Sequence, residues 1–349
     1  MITLPGLIDP HTHPRGLPSD DYKEDFHTAT SAAIAGGFTT IYDMPNNPKT
    51  PTLTYERLIE KQTIARGKIV CDVGFFFGTN GKNLDEFSKA AQKSKGLKVF
   101  LSISTGNLII DLDTFTKVCE VWPTNLPILL HAEEDVVMPA LTITHKTGHR
   151  THVCHVSSEK ELRQIITAKE QGFAVTCGVT PHHLFLTEAD ETRLKGYGQM
   201  KPSLKTKSDQ NFLWKNLDAI DIIESDHAPH SKEEKEGAHP AFGVTGLETT
   251  LPLLLTAASE GKITIEDIIR LCADNPGKIF DIATDKKTKI EIDENEKWII
   301  KNENLFTKCK WSPFDGWNVT GKVKQVFIRG TKVFENDTII AQPGFGKIL

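Results

Sequence analysis

Residues 4–15 read LPGLIDPHTHPR, and this stretch decides the fold. It opens with an apolar run of strand length, Leu4 to Asp9, and then carries two histidines that are two residues apart. Because side chains alternate along an extended backbone, the imidazoles of His11 and His13 point to the same side. We therefore interpret the stretch as a buried strand with a histidine pair at its carboxyl end.

Seven further apolar runs of strand length follow, and amphipathic segments separate most of them. They are Thr39 to Met44, Ile69 to Phe77, Leu97 to Leu101, Pro127 to His131, His152 to Val156, Ala174 to Val179 and Ile220 to Ser225. Nearly continuous apolar runs are typical of parallel strands that are buried on both faces. Eight such units predict an α/β fold, a closed (β/α)8 barrel of the TIM type. An open doubly wound sheet stays the alternative, because periodicity does not show closure.

After the eighth run the pattern changes to helical segments and then, from Lys289 onward, to short β runs. Turn residues such as Asp315-Gly316 and Arg329-Gly330 separate these runs. We predict that they form a small antiparallel β-sheet appendage, built mainly by the C-terminal tail. The predicted division is a barrel over residues 1–285 and an appendage over residues 286–349. We expect the sequence to begin directly with the first barrel strand.

The composition is that of an ordinary soluble domain. The chain has 349 residues, of which 38% are hydrophobic and 25% charged, and its net charge is -5 without a cluster of basic residues. These features disfavour a nucleic-acid or membrane surface, and the residues after Met1 do not resemble a secretory signal. The six cysteines lack paired spacing, so we expect reduced, buried thiols and a cytoplasmic location.

Three more potential metal ligands stand at the ends of three further predicted strands. His131 ends the fifth run, His155 lies at the end of the sixth, and Asp226 directly follows the eighth. Active sites of such barrels lie at the carboxyl ends of the strands, and imidazole and carboxylate are usual ligands of zinc. An isolated His-x-His pair is as readily part of a surface loop. Four histidines and an aspartate on one rim, however, predict a metal centre.

Lys98 lies inside the fourth apolar run, with apolar neighbours on both sides. A lysine within a barrel strand costs free energy unless it is paired or chemically altered. Taken alone, it is best interpreted as a side chain that extends its amine to water. Among metal ligands, Lys98 suits a carbamate formed by addition of carbon dioxide to the amine, because this anionic oxygen donor can bridge two metals.

These motifs resemble those of the cyclic amidohydrolases, and of the dihydroorotases in particular. That family combines an Asp-x-His-x-His-x-Arg opening, here residues 9–15, with a carboxylated lysine, two further histidines and a Ser-Asp-His-Ala-Pro-His close, here residues 225–230. The resemblance covers nearly the whole chain and looks closest to the dihydroorotase domain of the animal multifunctional pyrimidine enzyme and its bacterial relatives. It implies two zinc ions bridged by carboxylated Lys98 and a hydroxide. The implied ligands are His11, His13, Lys98 and Asp226 for one ion, and Lys98, His131 and His155 for the other.

The same resemblance implies which residues hold the substrate. Arg15, Asn46 and His230 would bind its carboxylate side, and Gly243 would offer backbone groups to the ring amides. A planar guanidinium that binds a carboxylate through two hydrogen bonds separates such a substrate from a neutral ring. Taken alone, Arg15 would be interpreted as part of a surface salt bridge, but its neighbours favour the substrate-binding role.

Two places depart from the family pattern. Lys201 precedes Pro-x-Leu, where the animal-type domain has an arginine and many bacterial enzymes an asparagine, so it would reach a carboxylate only as a point charge. The loop after Lys98 offers Ser104 and Thr105, where the family closes over the substrate with a threonine and a phenylalanine. We expect closure by hydroxyl groups, without an aromatic lid.

The function implied by the resemblance is that of a dihydroorotase, a hydrolase of cyclic amides that reversibly cyclises N-carbamoyl-L-aspartate to L-dihydroorotate in de novo pyrimidine biosynthesis. Asp226 would act as the catalytic acid–base. Two alternatives stay open: a hydantoinase, dihydropyrimidinase or allantoinase, and an inactive homologue that serves as a scaffold for aspartate transcarbamoylase. Beside the small-molecule substrate, the expected partners are a second copy in a homodimer and an aspartate transcarbamoylase.

Overall fold

The computed structural model describes residues 1–104, 108–283 and 285–349. Its strands are β1 (Ile2–Pro5), β2 (Leu7–Thr12), β3 (Phe38–Asp43), β4 (Asp72–Phe75), β5 (Phe77–Gly78), β6 (Leu97–Phe100), β7 (Ile128–His131), β8 (Thr151–Val153), β9 (Val175–Val179), β10 (Ile222–Ile223), β11 (Lys289–Ile299), β12 (Asn318–Ile328), β13 (Thr331–Glu335) and β14 (Thr338–Ile339).

The α-helices lie between and after the barrel strands. They are α1 (Phe26–Ala35), α2 (Tyr55–Arg66), α3 (Phe87–Ala90), α4 (Leu112–Val121), α5 (Val137–Lys146), α6 (Glu159–Glu170), α7 (Pro181–Phe185), α8 (Glu188–Leu194), α9 (Lys207–Lys215), α10 (Lys232–Glu236), α11 (Thr250–Ser259), α12 (Ile265–Ile269) and α13 (Asn275–Ile279). Short 3-10 turns occur at Leu84–Glu86, Glu134–Val136, Lys195–Gly198, Leu217–Ala219 and Asn302–Asn304, and a π-helical turn at Arg270–Asp274.

The helices begin where the sequence supplies side-chain caps. The Asp25 carboxylate accepts from the backbone N–H groups of His27 and Thr28 at the start of α1. Ser158 and Glu161 form a reciprocal capping box at the start of α6. Each cap satisfies amide groups that have no partner within the helix and stabilises it by about 1 kcal/mol.

Across the described ranges, no helix is long and apolar enough to cross a membrane.

Parallel strands form the barrel that the sequence predicts. β2, β3 and β4 pair in that order in a three-stranded sheet, and β5 to β10 pair in sequence order in a six-stranded sheet. β4 and β5 are two parts of one strand that is interrupted at Phe76, so the three-stranded sheet continues into the six-stranded sheet. The barrel prediction is confirmed, and the chain does not form the open sheet that was the alternative.

The barrel closes between its first and last strands through short contacts. Thr12 forms a parallel bridge with His227. The buried carboxylate of Asp9 accepts the backbone N–H of Ser225 at 3.2 Å, and burial raises the pKa of Asp9 to about 7. Two strand ends that carry predicted metal ligands are thereby held side by side.

An apolar layer fills the barrel below these strand ends. The rings of Tyr42, Phe76 and Phe280 have centroids 5.2 to 5.9 Å apart. They pack with Leu129 and Ile222 into one buried cluster. Because close-packed apolar side chains leave no room for water, polar groups above this layer interact more strongly than they would in water.

The second sheet is antiparallel and has the strand order β1-β11-β12-β13-β14. The four strands from the tail agree with the prediction, but β1 was not expected there. Ile2 pairs with Ile292, so the interpretation of residues 4–9 as one barrel strand was wrong at its beginning. The extended segment is interrupted at Gly6, where a Cβ atom would lie 2.3 Å from Thr39 Oγ1. The barrel strand starts at Leu7. The division of the chain at residue 285 stays a prediction.

Candidate metal centre

Five of the six predicted ligands, all except Lys98, line the barrel mouth, where the carboxyl ends of the strands meet. His11 belongs to β2 and His131 ends β7, while His155 and Asp226 follow β8 and β10. The backbone φ angles of His155 and Asp226 are 40° and 44°. Positive φ is costly for a residue with a side chain and is concentrated at functional sites. These turns direct both side chains into the mouth.

The Asp226 carboxylate joins the histidine pair of the first strand. Its Oδ1 lies 3.0 Å from His13 Nε2 and 3.4 Å from His11 Nε2. On the other side of the mouth, His131 Nδ1 lies 3.0 Å from His155 Nε2. The rings of His11 and His155 have centroids 5.0 Å apart. All five side chains are buried and form one continuous cluster.

The charges of this cluster favour a cation. Burial lowers the pKa of His13 to about 3 and that of His155 well below its ordinary value. Burial also opposes ionisation of Asp226, but the nearby imidazoles of His11 and His13 hold its pKa below the usual range. Although burial opposes it, the carboxylates of Asp226 and Glu224 raise the pKa of His11 to about 10. Positive charge is therefore favoured where His11 stands between these two carboxylates.

The donor set fits a divalent metal ion. One donor atom each from His11, His155 and Asp226 lies within 4.8 Å of the others. Within the described part of the chain, the buried His155 Nδ1 has no hydrogen-bond partner. A buried polar atom without a partner costs free energy, and imidazole nitrogen and carboxylate oxygen are ligands that zinc accepts. These residues together form a candidate metal centre.

Lys98 lies on β6 and is fully buried. Its Nζ donates to Cys154 Sγ at 3.0 Å and lies 5.3 Å from the ring centroid of Phe100. Among the described residues, no carboxylate forms an ion pair with it. The amine does not reach water, so the simpler interpretation of this lysine was wrong. A buried ammonium without an anion is costly, so the position of Lys98 calls for an explanation beyond packing.

Glu224 is the residue of this cluster that the sequence analysis missed. Its Oε2 lies 3.3 Å from His11 Nδ1 and 3.6 Å from His152 Nε2, and its Oε1 accepts the backbone N–H of His155. His11, Cys154 and Glu224 bring a second set of donor atoms within 4.8 Å of one another. The sequence did contain a signal for Glu224. Like Lys98 in the fourth run, it is a charged residue within an apolar run of strand length.

Arg15 lies beside the cluster, and its guanidinium is buried. Its Nη2 donates to the Pro229 carbonyl at 3.2 Å and lies 3.4 Å from His230 Nε2. In the ranges that the structure covers, no carboxylate forms an ion pair with Arg15, so the surface salt bridge considered from sequence is wrong. The carboxylates of Asp20, Glu234 and Asp226 act on Arg15 only at longer range, and a buried guanidinium without a direct ion-pair partner can bind an anion from outside.

His230 is oriented by charged neighbours behind it. Lys23 Nζ donates to Glu234 Oε1 at 2.9 Å, and Glu234 Oε2 lies 3.1 Å from His230 Nδ1. Burial lowers the pKa of His230 to about 3, so the neutral ring donates from Nδ1 and leaves Nε2 to face Arg15. Lys23 lies in the wall of the site because Glu234 holds its amine.

Asn46, Gly243, Lys201 and Ser104 complete the lining of the mouth, together with Phe100 and Phe242. Lys201 Nζ lies 5.0 Å from the ring centroid of Phe242, and Phe242 is 37% exposed. An aromatic side chain at the mouth was not expected from the sequence. Thr105, the other residue of the predicted closing pair, lies outside the described residues.

Gly243 is placed where a side chain would not fit. Its φ is 136°, and a Cβ atom would lie 2.6 Å from the carbonyl oxygen of Ala228. Its N–H donates to the Gln199 carbonyl at 3.0 Å, and its own carbonyl accepts from Lys235 Nζ at 2.9 Å. Only the second lone pair of this carbonyl is left for a ligand, so the expected role of Gly243 narrows to that of an acceptor.

His183, on α7, is buried and packs against the wall that carries the Lys201-Pro202 segment. Thr180 Oγ1 lies 2.7 Å from His183 Nδ1, and His183 Nε2 lies 3.2 Å from the Pro202 carbonyl. Since a carbonyl only accepts, Nε2 carries the proton and Nδ1 accepts from the threonine hydroxyl. Burial lowers the pKa of His183 from 6.5 to about 4.

This depressed pKa predicts a loss of stability in acid. Between pH 6.5 and 4 the unfolded chain binds a proton that folded His183 does not bind, so the free energy of unfolding falls as the pH falls. His183→Gln removes this contribution. We expect the stability advantage of the unaltered protein over His183→Gln to shrink by about 1–2 kcal/mol between pH 7 and pH 5. Urea unfolding of both metal-free proteins measures it, and a constant difference would contradict the assignment.

The fold and the site define the class of protein: a barrel enzyme with a histidine- and carboxylate-rich candidate metal centre at the strand ends. The chain belongs to the amidohydrolase family, whose sequence model matches residues 2–333. It is 42% identical to the multifunctional protein CAD of Squalus acanthias over 99% of this chain. It spans only 16% of the length of that relative.

Two further comparisons separate sequence homology from likeness of fold. The chain is 37% identical to a dihydroorotase of Pyrococcus horikoshii, a match that covers 98% of this chain and 83% of that protein. A solved L-hydantoinase (dihydropyrimidinase) from Arthrobacter aurescens superposes with a TM-score of 0.93 at 24% identity, over 99% of this chain and 88% of that chain. The first match shows homology to dihydroorotases, whereas the second shows the fold alone.

Proposed function

We propose that this chain is a dihydroorotase, which interconverts L-dihydroorotate and N-carbamoyl-L-aspartate in pyrimidine biosynthesis. The observation that carries the proposal is the buried Arg15 guanidinium, which has no direct ion pair among the described residues and lies beside the candidate metal centre. A neutral cyclic amide would leave this cation unpaired, so the site favours a ring that bears a carboxylate. The name of the Pyrococcus relative supports the same activity.

The proposed cofactors are two zinc ions. His11, His13 and Asp226 would hold one, His131 and His155 would hold the other, and Lys98 as a carbamate would bridge them. When bound, the ions supply Lewis acidity toward the ring carbonyl and lower the pKa of water to about 7. Carbamate formation would replace the ammonium of the buried Lys98 by an anion, whose charge the two ions would neutralise.

Asp226 is proposed as the acid–base of the reaction. In hydrolysis, the oxygen of water bonds to the ring carbonyl carbon, and Asp226 accepts a proton from this water. The ring carbon–nitrogen bond then breaks, and Asp226 delivers the same proton to the leaving nitrogen. The low pKa of Asp226 keeps it ionised beforehand, and His13 Nε2 at 3.0 Å holds its orientation. Synthesis runs these steps backward with loss of water.

Arg15, His230 and Asn46 would orient the substrate. The guanidinium would bind the carboxylate of the ring through two hydrogen bonds, with His230 Nε2 fixed beside it. The buried Asn46 Oδ1 has no hydrogen-bond partner within the described residues, so it is available to accept a ring N–H. Holding the ring in one pose accounts for a large part of the catalysis expected from such a site.

The proposal is tested by turnover of L-dihydroorotate, dihydrouracil, hydantoin and allantoin by the zinc-loaded protein. We expect turnover of dihydroorotate alone. Turnover of a neutral ring instead would favour the hydantoinase, dihydropyrimidinase or allantoinase alternative. Metal content measured on the same sample identifies the inactive scaffold, which would bind fewer than two ions per chain and turn over none of the four compounds.

Lys201 is expected to assist the carboxylate as a point charge. Lys201→Met should raise KM for dihydroorotate about 3- to 10-fold with little change in kcat, because a partly exposed charge contributes roughly 1 kcal/mol. Steady-state kinetics measures both constants. Lys201→Arg retains the charge and should keep KM within about 3-fold. An unchanged KM in Lys201→Met would place Lys201 outside the substrate contacts.

The partners proposed for this chain are a second copy, in a homodimer, and an aspartate transcarbamoylase. The dimer and the transcarbamoylase rest on the sequence resemblance, and the multifunctional name of the Squalus relative is consistent with assembly into a larger system. Light scattering of the chain alone and mixed with a transcarbamoylase would test both.

A further inference from the structure

Glu224 extends the eighth barrel strand toward the metal centre and is 1% exposed. Its backbone N–H donates to the Val179 carbonyl at 3.0 Å, so its main chain continues the pairing of β10 with β9. An ionised side chain at this depth costs much free energy unless donors surround it. Two groups donate to it, His11 Nδ1 at 3.3 Å and the backbone N–H of His155, and His152 Nε2 lies 3.6 Å away.

Gly178 provides the space for this carboxylate. It lies on β9 and pairs with Ile222 of β10. A Cβ atom at Gly178 would lie 2.5 Å from Glu224 Oε1 and 2.6 Å from its Cδ. The backbone of Gly178 is outside the left-handed region, so its conformation does not require glycine. The absence of a side chain at this position is therefore explained by the carboxylate beside it.

We propose that Glu224 is a positioning residue of the metal centre, which fixes the ring of His11 and the backbone of His155 through direct hydrogen bonds. This inference rests on the proposed function. A carboxylate only accepts, so His11 Nδ1 must carry the proton, and this leaves His11 Nε2 as the ligand atom on the side of Asp226. A hydrogen bond from the second ring nitrogen to a carboxylate orients a histidine ligand and makes it a better donor to a metal.

Glu224 reaches both halves of the proposed site from behind. Through His11 it acts on the ligands that lie near Asp226, and through the His155 backbone it acts on those near His131. The positive φ of His155, 40°, is costly for a side-chain-bearing residue, and the hydrogen bond from its N–H to Glu224 helps to hold it. One side chain thus controls the geometry of two ligands that come from opposite sides of the mouth.

The test compares Glu224→Gln and Gly178→Ala with the unaltered protein. Glu224→Gln keeps the shape and removes the charge, while Gly178→Ala leaves the glutamate and displaces its carboxylate. Both should lower zinc affinity about 10- to 100-fold in chelator competition, shift the visible absorption of the cobalt-substituted protein and lower kcat with KM nearly unchanged. Gly67→Ala is the matched control, because a Cβ atom there meets nothing within 4 Å, and it should change none of these.

A double variant makes the result independent of general damage to the fold. In Gly178→Ala, the additional change Glu224→Asp shortens the side chain and relieves the contact, so zinc affinity should partly recover. Zinc affinity and the cobalt spectrum are measured without substrate, so they test this inference even if the protein does not turn over dihydroorotate. Unchanged affinity and spectrum in both single variants would overturn the proposal. A third metal ion per chain that is lost in Glu224→Gln would also overturn it, since Glu224 would then be a ligand.

Discussion

Asp226→Asn is expected to lower kcat for dihydroorotate by about 10²- to 10⁴-fold, the range that a positioned acid–base contributes. The asparagine has the same shape as aspartate but cannot accept the proton of water or return it to the leaving nitrogen. Its amide can still lie beside His13 Nε2, at 3.0 Å from the present carboxylate. Stopped-flow or steady-state turnover at saturating zinc measures the loss.

Because Asp226 is also proposed as a metal ligand, the metal content of the variant must be measured alongside its rate. A variant that keeps two ions per chain and loses kcat supports the acid–base role. A variant that loses its zinc reports on ligation instead, and protein stripped with a chelator provides the reference rate for that case. Full metal content with a kcat within about tenfold of the original would contradict the proposed role.

Arg15→Met is expected to have the second largest effect, a loss of about 10²- to 10³-fold in kcat/KM for dihydroorotate. Removal of one partner from a buried charge pair costs about 2–5 kcal/mol, and about 1.4 kcal/mol corresponds to tenfold. Methionine retains most of the side-chain volume in this buried position and removes the guanidinium. Kinetics over a range of dihydroorotate concentrations measures the effect.

Arg15→Lys is the matched control for charge against shape. It keeps a cation but not the planar fork, so its kcat/KM should lie between those of the unaltered protein and Arg15→Met. Zinc content should be normal in both variants, since the guanidinium of Arg15 forms its hydrogen bonds with Pro229 and His230. An Arg15→Met enzyme that turns over dihydroorotate normally would remove the main argument for a carboxylate-bearing substrate.

The barrel could be predicted from the sequence because each strand is marked by its own residues. Eight nearly continuous apolar runs are a local signal of strands buried on both faces, and their number favours a closed barrel over an open sheet. The separation of Ile2–Pro5 from the barrel strand was missed, since its cause is remote. Ile2 pairs with Ile292, and nothing in residues 2–5 indicates that partner.

The candidate ligands could also be predicted, because their positions at strand ends are a property of the sequence. The contacts that organise them could not. The contacts of Glu234 with Lys23 and His230 depend on how loops fold over the barrel mouth, and loop geometry is weakly encoded in local patterns. The role of Glu224 could have been predicted, because a carboxylate in an apolar strand is rarely buried without a partner.

The pairing of β1 with β11 has a consequence for the order in which the protein folds. During synthesis the N-terminal strand leaves the ribosome long before Ile290 and Ile292, its partners in the small sheet, exist. Contacts that are remote in sequence form slowly, because closing a long loop costs entropy before the contacts can stabilise the structure. Packing of β1 against the tail is therefore a late event, so the small sheet is completed only after all the barrel strands have been synthesised.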